Sequence, residues 1–291
     1  MIRKAVIPAA GFGSRFLPIT KSQPKEMLPV VDKPTIHYVV EEAVASGITD
    51  ILMVIGKSKR SIEEYFDRNF ELEAELEAKQ KNDLLEELRG ISSMANICFI
   101  WQKELKGLGD AVAHARSHIG NEPFALLLGD TILRSNTDVP VTRQLIDVYN
   151  EKHASVVSLE EVSKEKVSRY GVMDGTQEGD RLYRVHDFVE KPAPGTEPSR
   201  LVFAGRYVFT PEIFDHLVET KPGKNNEIQL TDAMRAMVQD RPMYGRHIEG
   251  RRFDIGNKLD YIKTNIEFAL QRDDLRDELG EFIKATAKEL S

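Results

Sequence analysis

The stretch AVIPAAGFGSRFLPITKSQPKEMLP, residues 5–29, begins as an apolar strand, breaks at glycines and continues as a loop with clustered cations. Arg15, Lys21 and Lys25 lie close together in this loop, although the whole chain has a formal net charge of −7. Backbone N–H groups at a glycine turn, together with nearby cations, can hold a phosphate. The stretch therefore indicates a small anionic ligand, and a purely structural turn with surface cations is the alternative.

The composition is typical of a globular protein with a substantial core, since the 291 residues are 41% hydrophobic and 30% charged. The negative net charge argues against a nucleic acid polymer as partner, because such binding needs a broad basic face. No apolar run approaches the ~20 residues that span a bilayer. The single cysteine, Cys98, excludes an internal disulfide and fits a reducing compartment. We therefore expect a cytoplasmic protein that binds neither a membrane nor a nucleic acid polymer.

Hydrophobic periodicity around the opening stretch predicts a βαβ unit. Residues 2–9 read as a buried strand, residues 33–48 as a helix that ends at Gly47, and residues 50–56 as a second buried strand. Apolar strand patterns and helical patterns continue to alternate along the chain. We predict an α/β fold with a Rossmann-like mixed, mostly parallel sheet flanked by helices.

The organisation along the chain indicates one continuous domain, since no internal repeat, low-complexity tract or flexible linker is present in the sequence. We predict an α/β core over residues 1–256. Residues 257–291 are predicted to form C-terminal helices that pack on the core or lie at a subunit interface. Residues 58–90 are dense in Glu, Lys and Leu with helical periodicity, so we interpret them as an insertion of two helices on the rim of the sheet.

Two common phosphate-binding motifs are absent from the sequence. The segment GFGSRF, residues 11–16, places Phe16 where the dinucleotide fingerprint needs its third glycine, and no G-x-x-x-x-G-K-[ST] string occurs. The histidines are scattered, and His114 and His118, four residues apart, have no third metal ligand nearby in the sequence. Neither a zinc centre nor a histidine-activated nucleophile is indicated.

Two acidic residues follow apolar segments. Asp130 ends LLLGD at the predicted carboxyl end of a strand, where open parallel sheets bind their ligands, and its carboxylate could hold Mg²⁺ against phosphate oxygens. Asp254 in FDIG is a candidate second ligand for the same metal. The alternative for Asp130 is a helix N-cap or a loop acid.

Glu190 and Lys191 are neighbours in FVEKP at a predicted strand end. Successive side chains on a strand point to opposite faces, so we expect a mutual ion pair to be awkward here. A carboxylate that accepts hydrogen bonds from sugar hydroxyls and a lysine that meets a phosphate would explain both residues. A simple surface pair is the alternative.

The long motif AAGFGSRFLPITKSQPKEMLPVVDKP, residues 9–34, resembles the signature of the sugar nucleotidylyltransferases, A-A-G-x-G-T-R-x-x-P-x-T followed by P-K-x-x-L-P and x-x-K-P. Further segments occur in the order that this family shows, namely FELEAELE, KGLG, YGV, VEKP, GRYVF, NEIQLTDA and DIGNKLDY. The form P-K-E-M-L-P is typical of the bacterial-type branch that uridylylates glucose 1-phosphate. The resemblance therefore covers nearly the whole chain.

This resemblance implies the transfer of a uridylyl group from UTP to α-D-glucose 1-phosphate, which gives UDP-glucose and pyrophosphate. It implies Mg²⁺ as cofactor and a homo-oligomer, a dimer or tetramer. The catalytic residues implied are Arg15 and Lys25 on the triphosphate and Lys191 on the sugar's phosphate. The nucleotide-binding residues implied are Ala10, Gly11, Gly13, Glu26, Gln102 and Gly107. The sugar-binding residues implied are Gly171, Glu190 and Lys191, and the metal ligands implied are Asp130 and Asp254.

Three positions depart from the family pattern. Ser14 replaces the usual threonine and keeps the hydroxyl, so we expect little change. Gly129 stands where the uridylyl branch usually has proline, and Asp110 stands where it usually has histidine. A dTTP-using thymidylyltransferase is therefore an alternative. A weakly active regulatory paralogue is a second alternative, and the full set of cations and acids argues against it.

Overall fold

The computed structural model describes residues 1–290, and Ser291, which ends the predicted C-terminal helices, lies outside the described residues. The strands are β1 (Lys4–Ala9), β2 (Pro29–Val30), β3 (Lys33–Pro34), β4 (Asp50–Ile55), β5 (Asn96–Trp101), β6 (Phe124–Leu127), β7 (Thr131–Ser135), β8 (Ser155–Glu161), β9 (Gly171–Gly179), β10 (Leu182–Glu190), β11 (Leu201–Phe209), β12 (Met243–His247) and β13 (Gly250–Asp254).

The α-helices are α1 (Thr35–Ala45), α2 (Arg60–Phe66), α3 (Phe70–Ala78), α4 (Asn82–Ser92), α5 (Leu108–Ala113), α6 (Arg116–Ile119), α7 (Val141–Lys152), α8 (Ile213–Glu219), α9 (Leu230–Asp240), α10 (Lys258–Ala269) and α11 (Arg276–Glu289). Short 3-10 turns occupy the loop after β1 at Ser14–Phe16, Ile19–Lys21 and Lys25–Met27. None of the helices in residues 1–290 is both long enough and apolar enough to cross a membrane.

The main sheet has the strand order β5-β4-β1-β6-β11-β8-β12-β10-β9. Strands β5, β4, β1 and β6 are mutually parallel, and β12 runs parallel to β8. Strand β11 is antiparallel to both β6 and β8, and β10 is antiparallel to β12 and β9. The predicted mixed α/β sheet is confirmed, with its parallel strands on one side and a largely antiparallel extension on the other.

The parallel side is buried on both faces because helices cover it from above and below. Side chains alternate along each strand, so Val6 and Leu52 belong to the core beneath α5, α8 and α9. Their neighbours Ile7 and Met53 belong to the opposite core beneath α1 and α2. The apolar runs of β1 and β4 therefore form the centre of the molecule, and the loops at their carboxyl ends are free to carry the site.

The charged insertion has three helices, α2, α3 and α4, so the prediction of two helices is wrong. The chain becomes extended at Asp67, and the Asn69 side chain then starts α3 by accepting a hydrogen bond from the N–H of Leu72 at 3.0 Å. Gln80 has a φ of 55° and separates α3 from α4. The Glu73 carboxylate joins the last two helices, since it accepts from Arg89 Nε at 2.9 Å.

A small two-stranded sheet, β7 with β13, stands beside the end of β6. Its antiparallel register pairs Thr131 with Asp254. This pairing brings the chain after α9 back to the turn that follows β6. The small sheet therefore joins two regions that are distant in sequence at the carboxyl end of the central strand β6.

Candidate active site

Two adjoining cavities form one cleft, which runs from the carboxyl ends of the parallel strands β1, β5 and β6 onto the antiparallel part of the sheet. The glycine-turn cavity has a volume of about 480 Å³ and includes the loop after β1 and the start of α5. The second cavity has a volume of about 300 Å³ and includes residues of β9, β10, β11 and α9. Leu108 and Leu128 line both cavities. A ligand with two parts could therefore occupy the cleft across this shared wall.

The cleft brings together most of the residues singled out from the sequence. The glycine-turn cavity is lined by Ala10, Gly11, Gly13, Lys25, Glu26, Gln102, Gly107 and Asp130. The second cavity is lined by Gly171, Glu190 and Lys191. Of the described site residues, Arg15 and Asp254 line neither cavity. They are nonetheless close to each other, because Arg15 Nη1 donates to the Gly256 carbonyl at 3.2 Å and the Gly256 N–H donates to Asp254 Oδ1 at 2.7 Å.

The glycine turn is shaped by Gly13, whose φ of 66° lies in the left-handed region. A Cβ at this position would come within 3.1 Å of both Lys25 Cβ and Thr20 Cγ2. Thr20 Oγ1 donates to the Gly13 carbonyl at 2.8 Å and closes the loop. Phe16 is buried against the edge of the Tyr261 ring, with ring centroids 5.6 Å apart. Glycine is therefore required where the chain passes over Lys25.

Lys25 and Asp130 form an ion pair at the end of β6, with Lys25 Nζ 2.5 Å from Asp130 Oδ2. Burial alone would raise the pKa of the Asp130 carboxyl, but the Lys25 ammonium holds that pKa below its ordinary value. Burial alone would lower the pKa of Lys25, but Asp130 and Glu26 raise it above its ordinary value. Both groups are therefore charged at neutral pH.

Glu26 has a buried partner that the sequence analysis missed. Lys59 Nζ donates to Glu26 Oε2 at 2.7 Å, and the Lys59 and Glu26 side chains are only 5% and 2% exposed. Burial raises the pKa of Glu26, although Lys59 and Lys25 oppose this effect. The available signal was the position of Lys59 in GKSKR, directly after the buried strand β4 and on the same sheet edge as the glycine turn.

Gln102 and Gly107 lie together at the end of β5. The Gln102 N–H donates to the Ile55 carbonyl at 2.8 Å, and its Nε2 donates to the Gly107 carbonyl at 3.2 Å and to Asp110 Oδ2 at 2.6 Å. Gly107 has a φ of 97°, and a Cβ there would meet the Ile228 carbonyl at 2.8 Å. Asp110, which departs from the family pattern, therefore contacts the predicted nucleotide-binding residue Gln102 directly.

In the second cavity, one expectation from the sequence is wrong: that Glu190 and Lys191 would not pair with each other. Glu190 and Lys191 do form an ion pair, with Lys191 Nζ 2.8 Å from Glu190 Oε1. The expectation that they would not pair is wrong because strand β10 ends at Glu190 and Lys191 has a φ of 47°, so the alternation of strand side chains no longer applies. Glu190 also accepts a hydrogen bond from Thr231 Oγ1 at 2.9 Å.

Gly171 is required in the second cavity because a Cβ at this position would overlap the Phe203 ring. Arg169 and Arg252 line the same cavity and were missed by the sequence analysis. The Arg252 guanidinium pairs with Glu160 and lies 4.2 Å from the centroid of the Tyr170 ring. The signal was available in RRFDIG, since residues 252 and 254 lie on the same face of a strand.

The two acids suggested as metal ligands lie at adjacent positions. Asp254 is paired in register with Thr131, the residue after Asp130. Among the residues that the structure describes, no group of three or more His, Cys, Asp or Glu side chains could hold a metal ion. Two carboxylates supply hard oxygen ligands of the kind that Mg²⁺ prefers, with its remaining positions left to phosphate oxygens and water.

Buried Arg206 supports the turn that carries Asp130. Its side chain is fully buried and its Nε and Nη2 donate to Glu42 Oε2 at 3.0 and 2.7 Å. Nη2 also donates to the Thr131 carbonyl at 2.8 Å. Thr142 Oγ1 donates to the other Glu42 oxygen at 2.6 Å. This hydrogen-bonded network fixes the backbone behind the Lys25–Asp130 pair.

Comparison with known proteins identifies the class. The chain belongs to the nucleotidyl transferase family, whose model matches residues 4–270. The family predicted from the sequence is therefore confirmed.

Individual proteins that are similar to this chain have more specific names than the family. A UTP–glucose-1-phosphate uridylyltransferase of Staphylococcus haemolyticus is 53% identical over 283 residues, which cover 97% of this chain and 98% of that protein. A UDP-glucose pyrophosphorylase solved in complex with UDP-glucose has a TM-score of 0.87 and 43% identity, over 94% of this chain and 100% of that chain. A UTP-bound UGPase from Acinetobacter baumannii has a TM-score of 0.90 and 40% identity, over 97% of this chain and 99% of that chain.

Proposed function

We propose that this chain transfers the uridylyl group of UTP to α-D-glucose 1-phosphate and releases UDP-glucose and pyrophosphate. The observation that carries the proposal is the cleft itself, in which the glycine-turn cavity and the second cavity meet at Leu108 and Leu128. The similar proteins that bind UTP and UDP-glucose support the same substrates.

The nucleotide occupies the glycine-turn cavity in this proposal. The backbone at Ala10, Gly11 and Gly13 faces the nucleotide, with Glu26 on the uridine. Gln102 and the backbone of Gly107 read the base. Arg15 and Lys25 hold the triphosphate.

The sugar phosphate occupies the second cavity. Glu190 accepts hydrogen bonds from glucose hydroxyls, while Gly171 leaves room for the ring. Lys191 binds the sugar's phosphate, and Arg169 and Arg252 add further positive charge to the same cavity. The ion pair holds Glu190 and Lys191 side by side. One small substrate could therefore contact Glu190 with its hydroxyls and Lys191 with its phosphate.

Mg²⁺ is the proposed cofactor, with Asp130 and Asp254 as its protein ligands. When bound there, Mg²⁺ neutralises negative charge on the phosphate oxygens. Asp254 ends β13 and is paired in register with Thr131, the first residue of β7, which directly follows Asp130, and this placement supports the donor set.

The reaction needs no general base from the protein, because a sugar phosphate with a second pKa of about 6 is already a nucleophile at neutral pH. Its phosphate oxygen forms the new bond to the α-phosphorus of UTP, and the bond from that phosphorus to the bridging oxygen breaks, so that pyrophosphate leaves. The difficulty is to align two polyanions in line. Arg15, Lys25 and Lys191 offset their repulsion and position them.

We further infer a homo-oligomer, a dimer or tetramer, in which residues from 257 onward contribute to a subunit interface while residues 1–256 form the catalytic core. Exposed apolar side chains on α10 and α11 support this, among them Leu259, Ile262 and Phe282. The single cysteine, Cys98, which is not in a disulfide, supports a cytoplasmic location.

The test is to incubate purified protein with UTP, glucose 1-phosphate and Mg²⁺ and to identify UDP-glucose by mass spectrometry. Asp130→Asn should abolish product formation. The matched control Asp138→Asn changes an exposed acid in the loop after β7 and should retain wild-type activity. A folded wild-type protein that forms no UDP-glucose would contradict the proposal and favour a regulatory paralogue.

A further inference from the structure

The side-chain amide of Gln102 directs both of its protons at protein acceptors. Nε2 donates to Asp110 Oδ2 at 2.6 Å and to the Gly107 carbonyl at 3.2 Å. Ionised carboxylates and carbonyl oxygens only accept hydrogen bonds, so Oε1 could take neither place without facing another acceptor. The chemistry of its two neighbours therefore gives the amide a single orientation.

The same residue is held at its backbone and is almost completely buried. The Gln102 N–H donates to the Ile55 carbonyl at 2.8 Å, and the residue is 4% exposed while lining the glycine-turn cavity. Because both Nε2 protons are used within the protein, the side chain can offer a ligand in that cavity only the acceptor Oε1. A buried acceptor that meets another acceptor carries an uncompensated desolvation cost.

We infer that Asp110 is a specificity-determining positioning residue, which orients the Gln102 amide so that Oε1 accepts a hydrogen bond from N3–H of the base. Uracil has this proton, whereas N3 of cytosine is itself an acceptor. Asp110 therefore favours UTP over CTP. Thymine also carries N3–H, so Asp110 does not separate UTP from dTTP. The inference rests on the proposed function, because it requires the base to lie in the glycine-turn cavity.

The experiment compares the binding of UTP and CTP, each with Mg²⁺, to three proteins by isothermal titration calorimetry. Asp110→Leu has a similar size but no acceptor, whereas the conservative Asp110→Asn keeps a carbonyl acceptor for Nε2. The wild type should prefer UTP. Asp110→Leu should reduce the UTP-to-CTP affinity ratio about tenfold or more, and Asp110→Asn should keep it within about threefold of wild type.

Three results would overturn the inference. They are equal wild-type affinity for UTP and CTP, an unchanged ratio in Asp110→Leu, or an equal loss of preference in Asp110→Leu and Asp110→Asn, which would indicate a merely structural role. Thermal unfolding checks that each variant folds. If Asp110→Leu does not fold, Gln102→Leu removes the acceptor itself and should narrow the UTP preference in the same way, and an unchanged preference would overturn the inference.

The binding ratio also separates this inference from the proposed function. If the ratio responds as expected but no UDP-glucose forms, the proposed reaction fails and the role of Asp110 stands. If UDP-glucose forms but the ratio does not respond to Asp110→Leu, the inference alone fails.

Discussion

The two cavities of the cleft are built in different ways. In the glycine-turn cavity the partnered polar side chains include a fully buried ion pair, Glu26 with Lys59, beside the Lys25–Asp130 pair and the hydrogen bonds of Gln102. In the second cavity Lys191 is 55% exposed and Glu190 is 32% exposed. On the proposed nucleotide side the Glu26–Lys59 pair is buried and the Lys25–Asp130 pair is 22% and 27% exposed, whereas the proposed sugar side depends on a pair that water reaches more easily.

This difference has a thermodynamic consequence. A buried ion pair that loses one partner leaves an uncompensated charge, so it costs far more to break than an exposed pair. Substitutions in the glycine-turn cavity should therefore affect both folding and function, and substitutions in the second cavity should affect function with little change in stability.

The largest effect is expected for Lys59→Met, which leaves Glu26 buried without its partner. The free energy of unfolding should fall by about 3–5 kcal/mol. The matched control Lys191→Met breaks the exposed pair and should cost less than about 1 kcal/mol. Urea denaturation of both variants measures the difference, and similar losses in the two variants would remove the contrast between the cavities.

The decrease in the free energy of unfolding caused by Lys59→Met should also depend on pH. The folded-state pKa of Glu26 is raised above its unfolded value of 4.5, so the stability from this group is present below that value and is lost as pH rises through the folded pKa. Removal of Lys59 raises this pKa further. The variant should therefore lose more stability at about pH 8 than at about pH 5. A loss of stability that grew as the pH fell would contradict the raised pKa of Glu26.

The second largest effect is expected for Lys25→Ala, measured as turnover. Removal of a charge that stabilises the transition state typically costs ~2.7–4 kcal/mol, which corresponds to about 10²–10³-fold in kcat. Lys33→Ala is the control, because Lys33 makes a comparable ion pair with Glu41 at 2.8 Å outside the cleft. Near-normal turnover by Lys25→Ala would remove Lys25 from the mechanism.

A smaller effect is expected for Lys191→Ala. The KM for glucose 1-phosphate should rise about tenfold, as for the loss of one hydrogen bond to a charged group, and the KM for UTP should be unchanged. Steady-state kinetics with each substrate varied in turn gives both values. An equal rise in both KM values would show that the two cavities do not divide the substrates.

The smallest effect is expected for Thr231→Val, which removes the hydroxyl that donates to Glu190 at 2.9 Å. Loss of about 1 kcal/mol should raise the KM for glucose 1-phosphate about fivefold. Thr231→Ser keeps the hydroxyl and should behave as wild type. If Thr231→Ser and Thr231→Val had the same KM for glucose 1-phosphate, the hydrogen bond from Thr231 to Glu190 would have no part in sugar binding.

The parts of the fold that could be predicted from the sequence are those with regular hydrophobic periodicity. The βαβ unit around β1, α1 and β4 follows from apolar runs and a glycine end signal, and the structure has all three elements. The glycine turn was also visible, because no other residue tolerates the φ of Gly13 so easily. The three-helix insertion was harder, since its breaks at Asp67 and Gln80 carry neither glycine nor proline.

Pairings between distant residues could not be predicted in the same way. Glu26 and Lys59 are separated by 33 positions, and their contact depends on how the loop after β4 folds back onto the loop after β1. The Glu190–Lys191 pair was misjudged because the φ of Lys191 is a property of the folded chain. Local pattern determined the scaffold, and tertiary packing determined which polar groups meet.

The proposed uridylyl transfer is best tested by pyrophosphate release from the purified protein with glucose 1-phosphate and Mg²⁺, measured separately with UTP, dTTP, CTP, ATP and GTP. We expect a clear preference for UTP. Such a preference would show that Gly129 and Asp110 are compatible with uridylyl transfer. A preference for dTTP would contradict the proposed substrate while leaving the cleft and its chemistry in place, and no release with any nucleotide by a folded protein would contradict the proposed reaction itself.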